Sequence, residues 1–156
     1  SLRNRPPSGM IAIDTNILVY SHRAESPFHQ RAVELLDQLA ASGRPWGTVW
    51  QCIHEFAAVV THPRIYNPPS TLNQCLAEIV NWRSCPTFRC IAEGPVHWQY
   101  LEPILREADI RGPRIHDARI AAVCLQHSVE ELWSVDRDFS RFPSLKVVNP
   151  FRSVRK

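Results

Sequence analysis

The sequence has no long hydrophobic stretch. None of its apolar runs approaches the ~20 residues that a membrane helix needs, and the N-terminus has no apolar segment of the kind found in signal peptides. The five cysteines include no Cys-x-x-Cys pair, and their odd number argues against a disulfide framework or a zinc site. We therefore predict a globular protein in the cytoplasm, with reduced and mostly buried thiols.

Lysine is scarce, because the 18 basic residues comprise sixteen arginines and two lysines. GC-rich coding produces this bias without any functional meaning, but arginine is also the side chain best suited to gripping phosphate. The net charge of +3 does not decide between the two explanations. Several arginines fall close to the acids described below, which slightly favours nucleic-acid binding: Arg111, Arg114, Arg119, Arg137 and Arg141.

Short apolar runs alternate with helical patterns, which predicts an α/β/α sandwich around a central, mainly parallel sheet of about five strands. The predicted strands cover residues 10–13, 45–49, 87–92, 131–135 and 146–148. One predicted helix begins at Pro27 with Ser26 as its N-cap. We expect one domain over residues 10–151, preceded by a flexible leader or cloning remnant (1–9) and followed by a basic tail (152–156).

Four acids occupy informative places in this pattern. Asp14 and Asp136 each follow a predicted strand, Glu55 lies at the edge of a helix's apolar face, and Asp117 is in the first turn of an alanine-rich helix. Taken singly, each has an ordinary explanation as a helix N-cap, a turn residue or a solvated position. Together they could converge in one crevice, where oxygen ligands would suit Mg²⁺ or Mn²⁺ and phosphodiester hydrolysis.

Four motifs in order resemble those of PIN-domain nucleases, and more narrowly the VapC-type toxins of bacterial toxin–antitoxin pairs. They are Asp14-Thr-Asn16, His54-Glu-Phe56, His116-Asp-Ala-Arg-Ile-Ala-Ala122 and Ser134-Val-Asp-Arg-Asp-Phe139. The resemblance covers nearly the whole chain from Met10 to Pro150. It implies a PIN fold and an Mg²⁺- or Mn²⁺-dependent endoribonuclease in which water attacks the RNA phosphodiester in line, leaving a 5′-phosphate and a 3′-hydroxyl.

Carried over residue by residue, the resemblance makes Asp14, Glu55, Asp117 and Asp136 the metal-binding acids. Supporting roles around them are expected for Thr15, Asn16, Ser134 and Asp138; the family usually has Thr where Ser134 stands, so the hydroxyl and its orienting hydrogen bond are retained. Candidates for holding the RNA backbone are Arg114, Arg119, Arg137 and Arg141.

The resemblance also implies a small antitoxin that blocks the acidic crevice, and a homodimer. We expect an exposed apolar patch that includes Val19 and Tyr20 to serve such contacts. A non-catalytic RNA-binding or scaffold module stays open as the alternative, since it would keep the fold and lose the chemistry. Two other enzyme classes fit poorly, because an aspartyl-nucleophile phosphohydrolase needs Asp where Asn16 stands and a zinc protease needs His where Ala58 stands.

Overall fold

The computed structural model describes residues 9–152, so the predicted leader and tail lie almost wholly outside it and the domain boundaries stay predictions. Five strands form one sheet in which every neighbouring pair is parallel. They are β1 (Ile11–Ile13), β2 (Trp46–Val49), β3 (Phe88–Ile91), β4 (Glu131–Trp133) and β5 (Val147–Val148). Their order across the sheet is β3-β2-β1-β4-β5, which confirms the predicted parallel sheet and puts β1 at its centre.

Six α-helices lie within the described residues. They are α1 (Thr15–His22), α2 (His29–Ala41), α3 (Trp50–Val60), α4 (Leu72–Ser84), α5 (His97–Glu107) and α6 (Ile115–Gln126). Because crossovers between parallel strands are right-handed, this strand order places α1 to α4 on one face of the sheet and α5 and α6 on the other. The packing agrees, since α1 contacts α2 and α3 while α5 contacts α6. The predicted α/β/α sandwich is confirmed.

The core is built around β1, whose three side chains are fully buried because the strand has neighbours on both sides and helices on both faces. The buried hydroxyl of Thr48 on β2 is paired with β1, since Thr48 Oγ1 donates to Ile13 O at 2.6 Å. On α6, Ala118, Ala121 and Ala122 are fully buried, and such small side chains let a helix lie close to the sheet. The central strand is thereby held firmly, together with the residue that follows it.

The predicted start of α2 is wrong. The helix begins at His29, not Pro27, and Ser26 closes a turn before it. The Ser26 carbonyl accepts from His29 N at 3.0 Å, and Ser26 Oγ accepts from Phe28 N at 3.1 Å. A Ser-Pro dipeptide initiates turns as well as helices, so the local sequence did not separate the two.

The predicted apolar patch on the first helix is also wrong. Val19 is 5% exposed, and the half-buried Tyr20 ring packs against Phe28 and Phe151 with centroids 5.5 and 6.2 Å apart. Both side chains are covered because α1 packs against α2. Large exposed apolar side chains occur instead on the surfaces of α4 and α5: Leu72, Leu76, Val80, Trp98 and Tyr100.

All five cysteines are free thiols, as predicted. Among the described residues, no helix combines the length and the apolar character needed to cross a membrane.

Gly47 in β2 offers a test of how tightly the sheet is packed. A Cβ atom at this position would overlap the backbone carbonyl of Arg89 on β3, which cannot move without breaking the β2–β3 ladder. We expect Gly47→Ala to lower the free energy of unfolding by about 1–3 kcal/mol, the usual cost of overpacking. Urea denaturation measures this loss.

Gly94→Ala is the matched control, because its Cβ would meet only the end of the Gln126 side chain. Its free energy of unfolding should stay within about 0.5 kcal/mol of wild type. Equal stability of the two variants would contradict the packing described for β2 and β3.

Candidate active site

The site lies at the carboxyl ends of β1, the central strand, and its neighbour β4. After β1 the chain crosses to β2 on one side of it, and after β4 the chain continues to β5 on the other side. The connections thus diverge between β1 and β4 and leave a crevice at the carboxyl ends of these strands, which is where ligands bind in open α/β sheets. Asp14 directly follows β1, and its N–H donates to Trp133 O at 3.0 Å. This bond extends the β1–β4 ladder and brings Asp14 beside Ser134.

Asp14 is held through both of its carboxylate oxygens. It is the N-cap of α1, and its Oδ1 accepts from Thr15 N at 2.8 Å while Oδ2 accepts from Ser134 Oγ at 2.6 Å. The side chain is 6% exposed. Burial raises the pKa of Asp14 above its usual value, the two hydrogen bonds lower it, and the charges of Glu55 and Asp136 raise it further. The ordinary N-cap explanation and the site explanation therefore apply to the same residue.

Ser134 connects Asp14 to the other acids of the fourth motif. Its Oγ accepts from Asp136 N at 3.0 Å, and Asp136 Oδ1 in turn accepts from Asp138 N at 2.9 Å. Asp136 thus caps a short 3₁₀ helix over residues 137–141. The hydroxyl that the resemblance predicts to orient the site is present and bonded on both sides.

Three carboxyl groups form a close cluster, which includes two of the four predicted metal-binding acids and, in addition, Asp138; among the described residues Asp14 and Glu55 lie outside this cluster. Asp117, Asp136 and Asp138 each offer an oxygen that lies within 4.8 Å of the other two. Asp117 is in the first turn of α6 and half-buried. Partial burial together with the neighbouring charges, those of Asp136 and Asp138 foremost, raises the pKa of Asp117 to about 6. Carboxylates this close repel one another unless protons or a cation neutralise them.

Glu55 reaches the site from α3, which packs against α1. Its side chain is exposed, and its Oε2 accepts from Thr15 Oγ1 at 3.0 Å. Thr15 therefore connects two acids, since its N–H binds Asp14 and its hydroxyl binds Glu55. Asn16 is exposed and its side chain makes no hydrogen bond with residues 9–152, so its supporting role stays a prediction.

The donor set suits a hard divalent cation. No arginine or lysine forms an ion pair with these five acids within the described range, and oxygen ligands without nitrogen or sulfur are typical of Mg²⁺ and Mn²⁺ sites. Cys52 lies near, with Sγ 3.8 Å from Asp14 Oδ1, and was not foreseen from the sequence. Burial, then the charge of Asp14, raises the pKa of Cys52 to about 12, so it remains a neutral thiol and not a thiolate ligand.

The four arginines named as RNA contacts differ in their surroundings. Arg119 is paired with Glu93, whereas Arg114, Arg137 and Arg141 are exposed and make no side-chain hydrogen bond to another described residue. Arg111, noted for its position, pairs with Asp109 at 3.1 Å.

A cavity between α3 and α6 was missed by the sequence analysis. It has a volume of about 470 Å³ and borders the acids through Glu55 and Asp117. Its lining includes no arginine or lysine; the residues other than the two acids are Gln51, His54, Ala58, His116 and Ile120. The spacing of Gln51, His54 and Ala58 shows from the sequence that they share one face of α3. The sequence does not show that α6 lies opposite this face, because that depends on tertiary packing.

The model of the family described as "PIN domain" matches residues 11–145, which include all five acids. VapC25 of Mycobacterium tuberculosis is a ribonuclease 31% identical over 144 residues, covering 90% of this chain and 99% of its own. A VapC ribonuclease of Mycobacterium bovis is 30% identical over 141 residues, covering 90% and 95%. The chain belongs to the VapC ribonucleases of the PIN-domain family.

Solved structures agree with the PIN fold. FitAcB from Neisseria gonorrhoeae has a TM-score of 0.66 at 21% identity and covers 92% of this chain and 100% of its own. VapC20 of M. tuberculosis, described as a sarcin–ricin loop cleaving toxin, has a TM-score of 0.61 at 18% identity, covering 83% and 92%. At these identities the likeness bears on the fold.

The repulsion at Asp117 predicts how the stability of this VapC-family protein depends on pH in EDTA. Because the folded-state pKa (about 6) exceeds the ordinary value of 3.8, the folded protein holds a proton that the unfolded chain releases. The contribution of Asp117 to the free energy of unfolding should therefore fall as the pH rises from about 4 to about 6. Asp117→Asn lacks this penalty, so its stability relative to wild type should increase across the same window.

Urea denaturation at several pH values measures this difference. Asp37→Asn, which changes an exposed acid on α2, is the control and should parallel wild type. Parallel curves for wild type and Asp117→Asn would show that Asp117 is not under the described repulsion.

Proposed function

We propose that this chain is an endoribonuclease that hydrolyses RNA phosphodiester bonds with Mg²⁺ or Mn²⁺, and that it acts as the toxin of a VapBC-type pair. The observation that carries the proposal is the cluster of Asp117, Asp136 and Asp138, with Asp14 and Glu55 near enough for their charges to raise the pKa of Asp117. Family membership supports the ribonuclease activity, and the oxygen-only donor set supports the divalent cation.

We assign the metal-binding role to Asp14, Glu55, Asp117 and Asp136, with Asp138 beside them. A bound cation would neutralise phosphate charge and favour ionisation of water at neutral pH. Ser134 fixes the orientation of Asp14 through their hydrogen bond. Thr15 does the same for Glu55, whose Oε2 it binds, leaving Oε1 free to face water.

In the reaction, the oxygen of water forms a new bond to phosphorus and the bond to the 3′ oxygen breaks. The products are a 5′-phosphate and a 3′-hydroxyl, the leaving oxygen having gained a proton. Arg114, Arg137 and Arg141 are free to contact the RNA backbone, whereas Arg119 would first have to leave Glu93. Their exposed positions suit phosphate contacts, which position RNA without selecting sequence.

We further propose a cognate antitoxin and a homodimer. Two neighbours in fold are a VapBC2 structure from Rickettsia felis bound to promoter DNA and a toxin–antitoxin complex from Klebsiella pneumoniae. Exposed apolar side chains on α4 and α5 provide surface for protein contacts: Leu72, Leu76, Val80 and Trp98. A cytoplasmic location is part of the same proposal.

The test is cleavage of a cellular RNA pool by purified wild type and Asp14→Asn, with Mn²⁺ or Mg²⁺ and with EDTA. Asparagine can still cap α1, so the fold should survive. We expect discrete fragments that disappear in EDTA, and a loss of more than about 100-fold in the mutant, since changes around a metal ligand alone cost roughly 10- to 100-fold.

Glu34→Gln, an exposed change on α2, is the control and should cut like wild type. If wild type and Asp14→Asn cut equally, the activity does not come from this site. If the wild type binds RNA and none of the proteins cuts, the non-catalytic module is the correct description.

A further inference from the structure

A second cleft opens on the side of the acids opposite the α3–α6 cavity. This β5 cleft has a volume of about 550 Å³ and lies between the ends of β4 and β5 and residues 137–145. Asp136 belongs both to its wall and to the acid cluster. Its volume lies in the range of small-ligand sites, and its shared wall puts any occupant beside the acids.

Charge distinguishes the β5 cleft from the α3–α6 cavity. Its lining includes Arg137 and Arg152 against the single acid Asp136, whereas the α3–α6 cavity has two acids and no arginine or lysine in its lining. Both arginines are exposed and make no side-chain hydrogen bond to residues 9–152. Of the two sides of the acid cluster, the β5 cleft is therefore the one that attracts phosphate.

Asn149 gives the β5 cleft a group that can read a base. It directly follows β5, and its Oδ1 accepts from Phe151 N at 3.0 Å, which fixes the orientation of the amide. The amide NH₂ makes no hydrogen bond to residues 9–152. The cleft thus offers N–H donors from Asn149 and the arginines, and Ser140 adds a hydroxyl.

We propose that the β5 cleft binds the nucleotide next to the scissile phosphate and favours a keto base. This inference rests on the ribonuclease function proposed above. Asparagine pairs with adenine through both its amide oxygen and its NH₂, but here the oxygen is engaged by Phe151 N. With the NH₂ alone aimed at the exocyclic position of the base, guanine O6 and uracil O4 are acceptors, whereas adenine and cytosine present an amino donor there. The half-buried side chains of Val135 and Val147 provide apolar contact for the base.

Asn149→Asp tests the proposal with a minimal change. One oxygen of the new carboxylate can still accept from Phe151 N. The other oxygen replaces the amide NH₂ and can only accept a hydrogen bond from the base, so the preference should move from keto to amino bases. Each protein cuts a randomised RNA in Mn²⁺, and sequencing of the new ends gives the keto-to-amino ratio at the positions flanking the cut. We expect wild type to favour keto bases at one of these positions, and the mutant to lower the ratio by about three- to tenfold, the worth of one hydrogen bond.

Asn73→Asp is the matched control, because Asn73 is exposed on α4, which packs on β3 at the opposite edge of the sheet from β5. It should leave the ratio unchanged. Equal keto and amino frequencies for wild type, or a preference that Asn149→Asp leaves intact, would overturn the proposal.

Photocross-linking of 4-thiouridine RNA in EDTA separates this inference from the ribonuclease function. If wild type cuts nothing, the proposed ribonuclease function fails, but the position of the cross-link still tests the cleft. A cross-link to residues 134–152 supports RNA binding in the β5 cleft, and a cross-link to any other segment overturns it. If Asn149→Asp does not fold, Arg152→Gln should lower cross-linking to this segment, while Arg64→Gln, an exposed change elsewhere, should not. Equal cross-linking of the two would overturn the proposal.

Discussion

Mutual repulsion among carboxyl groups at the carboxyl end of β1 and β4 is the constraint on which this site depends. Asp14 is buried near the charges of Glu55 and Asp136, and its two hydrogen bonds, from Thr15 N and Ser134 Oγ, offset part of the cost of ionising it there. Repulsion that these hydrogen bonds do not offset is evident at Asp117, whose pKa is raised to about 6 by partial burial and by the neighbouring carboxylates. Protons or a cation would relieve this repulsion.

The sheet explains why these acids meet. Short parallel strands bring Asp14 and Asp136 to one edge through the β1–β4 pairing, and the crossover helices bring Glu55 and Asp117 to the same crevice. Ser134 connects the ends of the two strands, because its hydroxyl donates to the carboxylate of Asp14 after β1 and accepts from the backbone N–H of Asp136 after β4. A serine in place of the family's usual threonine keeps both bonds, since the hydroxyl donates to Asp14 Oδ2 and accepts from Asp136 N, and both residue types have it.

The sequence was informative where a chemical pattern and a strand end coincide. The apolar run before Asp14 predicted the central strand. The four motifs named Asp117 and Asp136, which the structure places in one cluster with Asp138, while the metal-binding role of the four acids stays a prediction. Sequence patterns failed where packing between distant segments decides the outcome. Val19 is covered because α1 packs against α2, and Ser26 forms a turn that local propensity did not distinguish from a helix start. The β5 cleft depends on the path of residues 137–149, which no periodicity specifies.

Crystals of the wild-type protein soaked in Mn²⁺ would test the account most directly, because anomalous diffraction locates manganese independently of activity. The account predicts an anomalous peak coordinated by Asp14, Asp117 and Asp136, and no such peak in Asp14→Asn crystals at the same Mn²⁺ concentration. An occupied site elsewhere on the protein, with the five acids left without a cation at neutral pH, would contradict it.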